Sequence, residues 1–326
     1  MPEVSRRYRT GVLAITITAV LWGTTGTAAT FAPDAGPLAI GAAALGLGGL
    51  AQAAIAVPAL RAGRALLRGQ ARLIAVGAGA VAIYPLAFYS SMHLAGVAVG
   101  SVVSLASAPL ASGILQHFLE SRPLSRTWAL AAALGIAGST VLCLAATSAP
   151  GAIGSSAPTA AAVVAGVLLG LVAGSTYATY SWTVSHLIGA GVSRAAAMGA
   201  VFGGGGMLLV PVLLLTGAPL LATPQATVVA GYMAAVPMFV GYVLFGFGLT
   251  RVPAATATTI TLAEPAVATL LAVLVVGERL PLLGWAGLVL IAAVLVLLVA
   301  GPGAAGAGRA TALLRAGHRR TDMLRR

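Results

Sequence analysis

Apolar residues in this chain come in runs of roughly twenty, each ended by a short break rich in glycine, proline or arginine. A helix of that length crosses a hydrocarbon core of about 30 Å. The pattern predicts ten spans, over 11–31, 37–58, 73–93, 97–119, 127–146, 160–182, 196–216, 226–248, 254–276 and 282–300. The breaks are short, as between neighbouring antiparallel helices. Short alternating segments of the β-barrel kind are not the pattern here. The expected fold class is therefore an all-α polytopic membrane protein. The longest outer connection, "TSAPGAIGSSAPT" over 147–159, reads as a linker between two halves, 11–146 and 160–300.

The halves resemble each other. "SLASAPLASGILQHFLESRPLSRTW" (104–128) aligns with "TITLAEPAVATLLAVLVVGERLPLLGW" (259–285). Pro109 then meets Pro265, Pro123 meets Pro281, and Trp128 meets Trp285 after a two-residue slip. "LWGTTGT" (21–27) meets "VAGSTYA" (172–178) more loosely, through Gly23 and Gly174. Five spans per half is an odd number, so the second half enters the membrane from the opposite side. The expectation is two inverted five-helix repeats around a central cavity.

Composition and charge sharpen this picture. With 59% hydrophobic and 7% charged residues and a mean hydropathy of +1.02, the chain has too few charges to cover a soluble domain. All 18 basic residues are arginine. With the N-terminal segment 1–10 placed inside, 17 of the 18 fall on the inner side and only Arg279 falls outside. This predicts an inner-membrane protein with both termini cytoplasmic. The apolar stretch from Gly11 to Phe31 is longer than a signal-peptide core and is read as the first span. The basic tail, 301–326, reads as a topology signal or as a segment lying on anionic lipid headgroups. The net charge of +12 does not point to nucleic acid, because the arginines sit in short loops and at the ends. A single cysteine, Cys143, excludes an intrachain disulfide and a cysteine-based metal site.

The most specific stretch is "LAEPAVATLLAVLVVGERLPLLGWAGLVLI" (262–291). With its E-P dipeptide, apolar run, G-E-x-L and glycine-bearing last helix, it resembles the closing segment of EamA-type proteins of the drug/metabolite transporter superfamily. Glu264, Pro265, Gly277 and Glu278 carry that resemblance. "LWGTTGT" resembles the family's first helix, and "FYSSMHLAGVAVGSVVSLASAP" its third-to-fourth helix region. The likeness covers nearly the whole chain. It implies ten helices around a central cavity and transport by alternating access. The chain departs from a symmetric pattern at Ala108, which stands where Glu264 stands in the other half.

Glu264 is an acid inside an apolar run, followed by a proline. Pro265 cannot donate to the carbonyl of Thr261, so a helix kink is expected there and at Pro109. An intramembrane carboxyl marks either a proton- or substrate-responsive group or a hydrogen-bonded brace, and in both readings it faces protein. Thr258, Thr261 and Glu264 share a face by their three-residue spacing and suggest a cavity wall. Ser101, Ser104 and Ser107 repeat that spacing and read as a packing surface of small residues. Trp22, Tyr84, Phe88, Tyr177, Tyr180 and Tyr242 sit inside spans and are expected to line the substrate cavity. A mostly apolar, aromatic cavity suits amphipathic or weakly polar molecules, not polyanions.

His93, His117 and His186 lie at span ends and imply no metal cluster. Glu120 and Glu278 read as boundary charges, and Gly203 to Gly206 as a close-packing or flexing point. No phosphate-binding loop, H-E-x-x-H or Ser-His-Asp set occurs. No enzymatic activity and no cofactor are expected, and the oligomeric state is left open. The expected function is secondary transport of small metabolites, amino acids or drug-like compounds, in the export direction. The alternatives are an importer and a non-transporting membrane scaffold or partner subunit.

Overall fold

The computed structural model describes residues 2–121, 123–147, 159–271, 273–274 and 281–300. Gly277, Glu278, Arg279, the 148–158 part of the linker, the tail 301–326 and the side chain of Cys143 lie outside the described residues. Every element among the described residues is helical. In chain order the main ones are α1 (Arg6–Ala29), α2 (Pro37–Ala62), α3 (Ala71–Ala95), α4 (Val97–Glu120) and α5 (Arg126–Thr147). They are followed by α6 (Ala160–Gly189), α7 (Arg194–Thr216), α8 (Pro224–Leu249), α9 (Ala254–Leu271) and α10 (Leu282–Ala300).

Among the described residues, 8 helices are long and apolar enough to cross a membrane, and a shorter apolar helix covers Leu282–Leu298. The protein is thus a multi-pass membrane protein. Some helices extend beyond the expected spans. The helix that carries the start of α1 begins at Pro2, α2 continues to Ala62, and α6 continues to Gly189.

Local chemistry sets the connections. Gly96, with φ 85°, is the single residue between α3 and α4, and that backbone conformation favours glycine. Gly191, with φ 92°, ends α6. Its N–H donates to Ile188 O at 3.1 Å, and the Val192 N–H donates to Leu187 O at 3.0 Å. Thr159, Ser193 and Thr223 cap α6, α7 and α8 by accepting from the N–H groups of Ala162, Ala196 and Ala226.

Packing follows a paired pattern. α6 packs on α3 and α4, while α1 packs on α8 and α9. α7 packs on α3, while α2 packs on α8; α2 also packs on α7, and α5 on α10. Each contact has its counterpart when α1–α5 are exchanged with α6–α10. Small residues permit the closest approaches. A Cβ on Gly174 would lie 2.5 Å from Ser104 O and 3.0 Å from Ala108 N. A Cβ on Gly23 would lie 2.7 Å from Val267 Cβ and 3.0 Å from Glu264 O. The glycines that align between the halves therefore press on the positions, 108 and 264, that also align.

The serines of α4 belong to the same seam. The Ser104 and Ser107 hydroxyls donate back to Gly100 O and Ser104 O of their own helix. In α7, a Cβ on Gly206 would lie 2.7 Å from Gly46 O, so this glycine is a close approach to α2.

Gly174→Ala forces a methyl against backbone that cannot yield, whereas Gly79 in α3 has nothing within 4 Å of a built Cβ. Melting of purified protein in detergent should show Gly174→Ala destabilised by about 1–3 kcal/mol. Gly79→Ala should be neutral or stabilising, since alanine is the better helix former. Equal melting of the two variants would contradict a tight α4–α6 seam.

Candidate functional site

The site is built around a change of helix type in α9. Its first turns, Ala254–Ile260, are α-helical, and Thr261–Ala263 form a 3-10 turn before the helix resumes at Glu264. Pro265 has no N–H to offer the Thr261 carbonyl. The N–H of Glu264 takes that carbonyl instead, through the shorter 3-10 bond. The threonine hydroxyls turn back on their own helix: Thr258 donates to Ala254 O and Ala255 O, and Thr261 to Thr258 O at 2.9 Å. Pro109, the aligned residue, sits inside an unbroken α-helix.

Two further helices change type nearby. α2 widens to a π-helix over Ala42–Leu47 and α8 over Ala234–Val240, around Pro237. Three carbonyls of α8, two in this segment and one just past it, accept side-chain donors from other helices. Trp22 Nε1 donates to Pro237 O at 3.0 Å, Gln52 Nε2 to Phe239 O at 2.8 Å, and Thr18 Oγ1 to Gly241 O at 3.0 Å.

These breaks surround a cavity. Trp22 and Thr25 line it from α1, Ala44 and Leu45 from the π segment of α2, and Tyr84, Pro85, Phe88 and Tyr89 from α3. Met238 and Tyr242 line it from α8 and Glu264 from α9. Glu264 is 8% exposed, and its Oε2 has no hydrogen-bond partner among the described residues. The cavity leaves about 20 Å³ for the centres of water-sized molecules. That is room for water but not for a metabolite.

Of the residues singled out in the sequence, Trp22, Tyr84, Phe88, Tyr242 and Glu264 meet at this cavity. Tyr177, Tyr180, Thr258 and Thr261 are fully buried behind its wall. There the Tyr177 and Thr261 hydroxyls share a hydrogen bond of 2.8 Å, and those of Tyr180 and Tyr242 one of 2.7 Å. The rings pack into one cluster at tilted angles, with Trp22–Tyr242 centroids 4.8 Å apart and Tyr84–Tyr177 5.6 Å apart. Gln52, Tyr89, Thr25 and Met238 were missed. Pro237 in "AAVPMFVGY" and the glycine-rich "GAAALGLGGL" were the only signals for the helix breaks that place them. Elsewhere, Glu120 has a partner at the bundle edge, where Trp182 Nε1 donates to its Oε1 at 3.1 Å, and His93, His117 and His186 are exposed.

Apolar helices of membrane-spanning length, broken where they border a small aromatic cavity with one buried acid, define the class: a polytopic membrane protein. The EamA-like transporter family matches this chain twice, over residues 9–144 and 164–300. The chain belongs to that family. It is 34% identical over 294 residues to "Uncharacterized transporter YwfM" of Bacillus subtilis (strain 168), covering 89% of this chain and 94% of that protein. A solved structure described as "Crystal structure of protein" has the same fold, with a TM-score of 0.69 at 21% identity over 88% of this chain and 95% of that one.

The Tyr180–Tyr242 bond ties α6 to α8 behind the cavity. A double-mutant cycle of Tyr180→Phe and Tyr242→Phe, read by thermal or denaturant unfolding in detergent, should give a coupling of about 0.5–1.5 kcal/mol. Additive losses would mean that the two hydroxyls do not support each other.

Proposed function

We propose that the protein is a secondary transporter that exports small metabolites, such as amino acids or drug-like compounds, by alternating access, with Glu264 binding and releasing a proton during the cycle. The observation that carries this reading is the buried Glu264 Oε2, which faces an aromatic cavity without a hydrogen-bond partner among the described residues. A structural brace needs such a partner, whereas a group that exchanges a proton or meets a substrate needs to be free of one. The cavity as it stands is too small for a metabolite. In this reading it is an occluded state that opens to either side of the membrane. Membership of a transporter family supports solute movement over the scaffold alternative.

The same proposal includes the membrane arrangement. Ten crossings form two inverted five-helix repeats, the chain sits in the inner membrane, and both termini are cytoplasmic. The arginine distribution and the paired helix packing support it. A reporter fused after Arg326 should then read the cytoplasm and one inserted at Ser155 the exterior. Both reporters on one side would exclude an odd number of crossings in the second half, and with it the inverted repeat.

The chemical test is Glu264→Gln, which keeps the size and hydrogen-bonding capacity of the protonated acid. In proteoliposomes it should abolish solute movement driven by an imposed pH step. Exchange of substrate at equal concentrations should remain largely intact. Gradient-driven flux equal to that of the parent protein would rule out the proton role. Flux of the parent protein with the gradient in each orientation separates export from import.

A further inference from the structure

Three arginines from three separate segments gather at the end of the bundle where α1 begins. Arg7 lies on α1, Arg194 opens α7, and Arg251 lies in the connection between α8 and α9. The guanidinium carbon of Arg251 is 3.4 Å from the centroid of the Phe247 ring, and that of Arg194 is 5.7 Å from the same centroid. Arg251 Nη1 donates to Phe247 O at 3.0 Å and to Thr250 Oγ1 at 2.7 Å. Gly11 lets α1 lie against the Arg251 stem, where a built Cβ would sit 2.6 Å from Arg251 Cβ. Among the described residues, none of the three cations pairs with a carboxylate. Burial, then Arg7 and Arg194, hold the Arg251 guanidinium below the usual arginine value, as expected where positive charge is left uncompensated.

Most arginines at the ends of membrane helices are solvated topology signals. Arg64 and Arg68, on the short exposed helix Arg64–Gly69, are of that kind. Arg251 differs in being held. Its stacking on Phe247 and its two Nη1 bonds fix the guanidinium, so a ligand meets it without the usual ordering cost of a long side chain. Bringing three cations together costs Coulomb energy that an anion between them recovers. The connection also lies between two apolar spans, at the depth of the membrane–water boundary.

We propose that Arg194 and Arg251, with Arg7 adding charge, form a binding site for one phosphate group. Arg251 presents the guanidinium that its contacts with Phe247 and Thr250 hold through Nη1, and Arg194 presents its own from the other helix. The phosphate comes either from an anionic lipid headgroup or from a soluble phosphate compound. The site belongs to the folded body of the protein, not to the basic tail, and does not depend on the transport reading.

The test uses full-length protein in neutral detergent, titrated with phosphatidylglycerol, phosphatidylcholine or inorganic phosphate. Binding is read by native mass spectrometry and by the rise in melting temperature. Phosphatidylglycerol should bind in preference to phosphatidylcholine. Its apparent affinity should fall about tenfold in Arg194→Gln, the loss of one charge-assisted contact, and remain unchanged in Arg68→Gln. Arg194→Lys, which keeps the charge but loses the fork, should fall between the parent and Arg194→Gln, and Arg7→Gln gives an independent variant should the Gln variant fail to fold. Protection by millimolar inorganic phosphate that needs Arg194 would assign the site to a soluble phosphate. Equal losses in Arg68→Gln and the cluster variants, or no loss in any, would overturn the site.

Discussion

The structure depends on one constraint: inside an apolar medium, a helix that changes type is held in place by donors that neighbouring helices bring to its carbonyls. α8 meets it most fully. Around Pro237 the carbonyls of Pro237 and Phe239 in the π segment, and of Gly241 just beyond it, accept from Trp22, Gln52 and Thr18 respectively. Two of these donors stand on α1 and one on α2. The break in α8 therefore fixes two other helices against it. It also fixes the Trp22 indole, whose ring forms one wall of the cavity and packs at a tilt against Tyr242 and Phe245.

The same constraint places the cavity. α2, α8 and α9 each change helix type where they border it. An unbroken α-helix uses its carbonyls internally and bends little. A helix with a π or 3-10 segment has a local point at which small backbone changes redirect the remainder. In the proposed cycle, opening a cavity with room only for water requires at least one wall to move. The three helices with such points are the walls best able to do so, while α3, α-helical throughout, supplies the aromatic face they close against.

The membrane-spanning organisation was legible in the sequence because bilayer thickness imposes a run length and arginine marks the breaks. The acid at 264 was legible as well, since no other acid lies within an apolar run among the described spans. What the sequence did not give was the division of labour among the aromatic and threonine residues. Spacing put Tyr177, Tyr180, Thr258 and Thr261 with Trp22 and Tyr84. The structure places those four behind the cavity wall, where Tyr177 and Thr261 bond each other, Thr258 bonds its own helix and Tyr180 bonds the cavity-lining Tyr242. Helical spacing reports a face and not the depth at which the face ends. The π segments were hidden for a related reason. Pro237 signals a disturbed helix, but whether the helix kinks, tightens or widens depends on donors such as Gln52, nearly two hundred residues away in sequence.

The aligned halves differ where the chemistry lies. Gly174 packs on the α4 backbone at Ala108, and Gly23 packs on the α9 backbone at Glu264. One seam is closed by a methyl group and the other carries a carboxyl at its edge. Pro109 leaves its helix assigned as continuous, whereas Pro265 follows a 3-10 turn that swings the acid toward α3 and α8. The scaffold is thus repeated while its titratable group is not. Among the remaining described acids, Glu120 sits at the bundle edge bonded to Trp182, and Asp34 is exposed in a connection. On the proposed mechanism, this cavity wall handles at most one proton per cycle. The two halves then have separate tasks: the second carries the charge chemistry, and the first supplies the rings of α3 and the packed seam against which α9 is held.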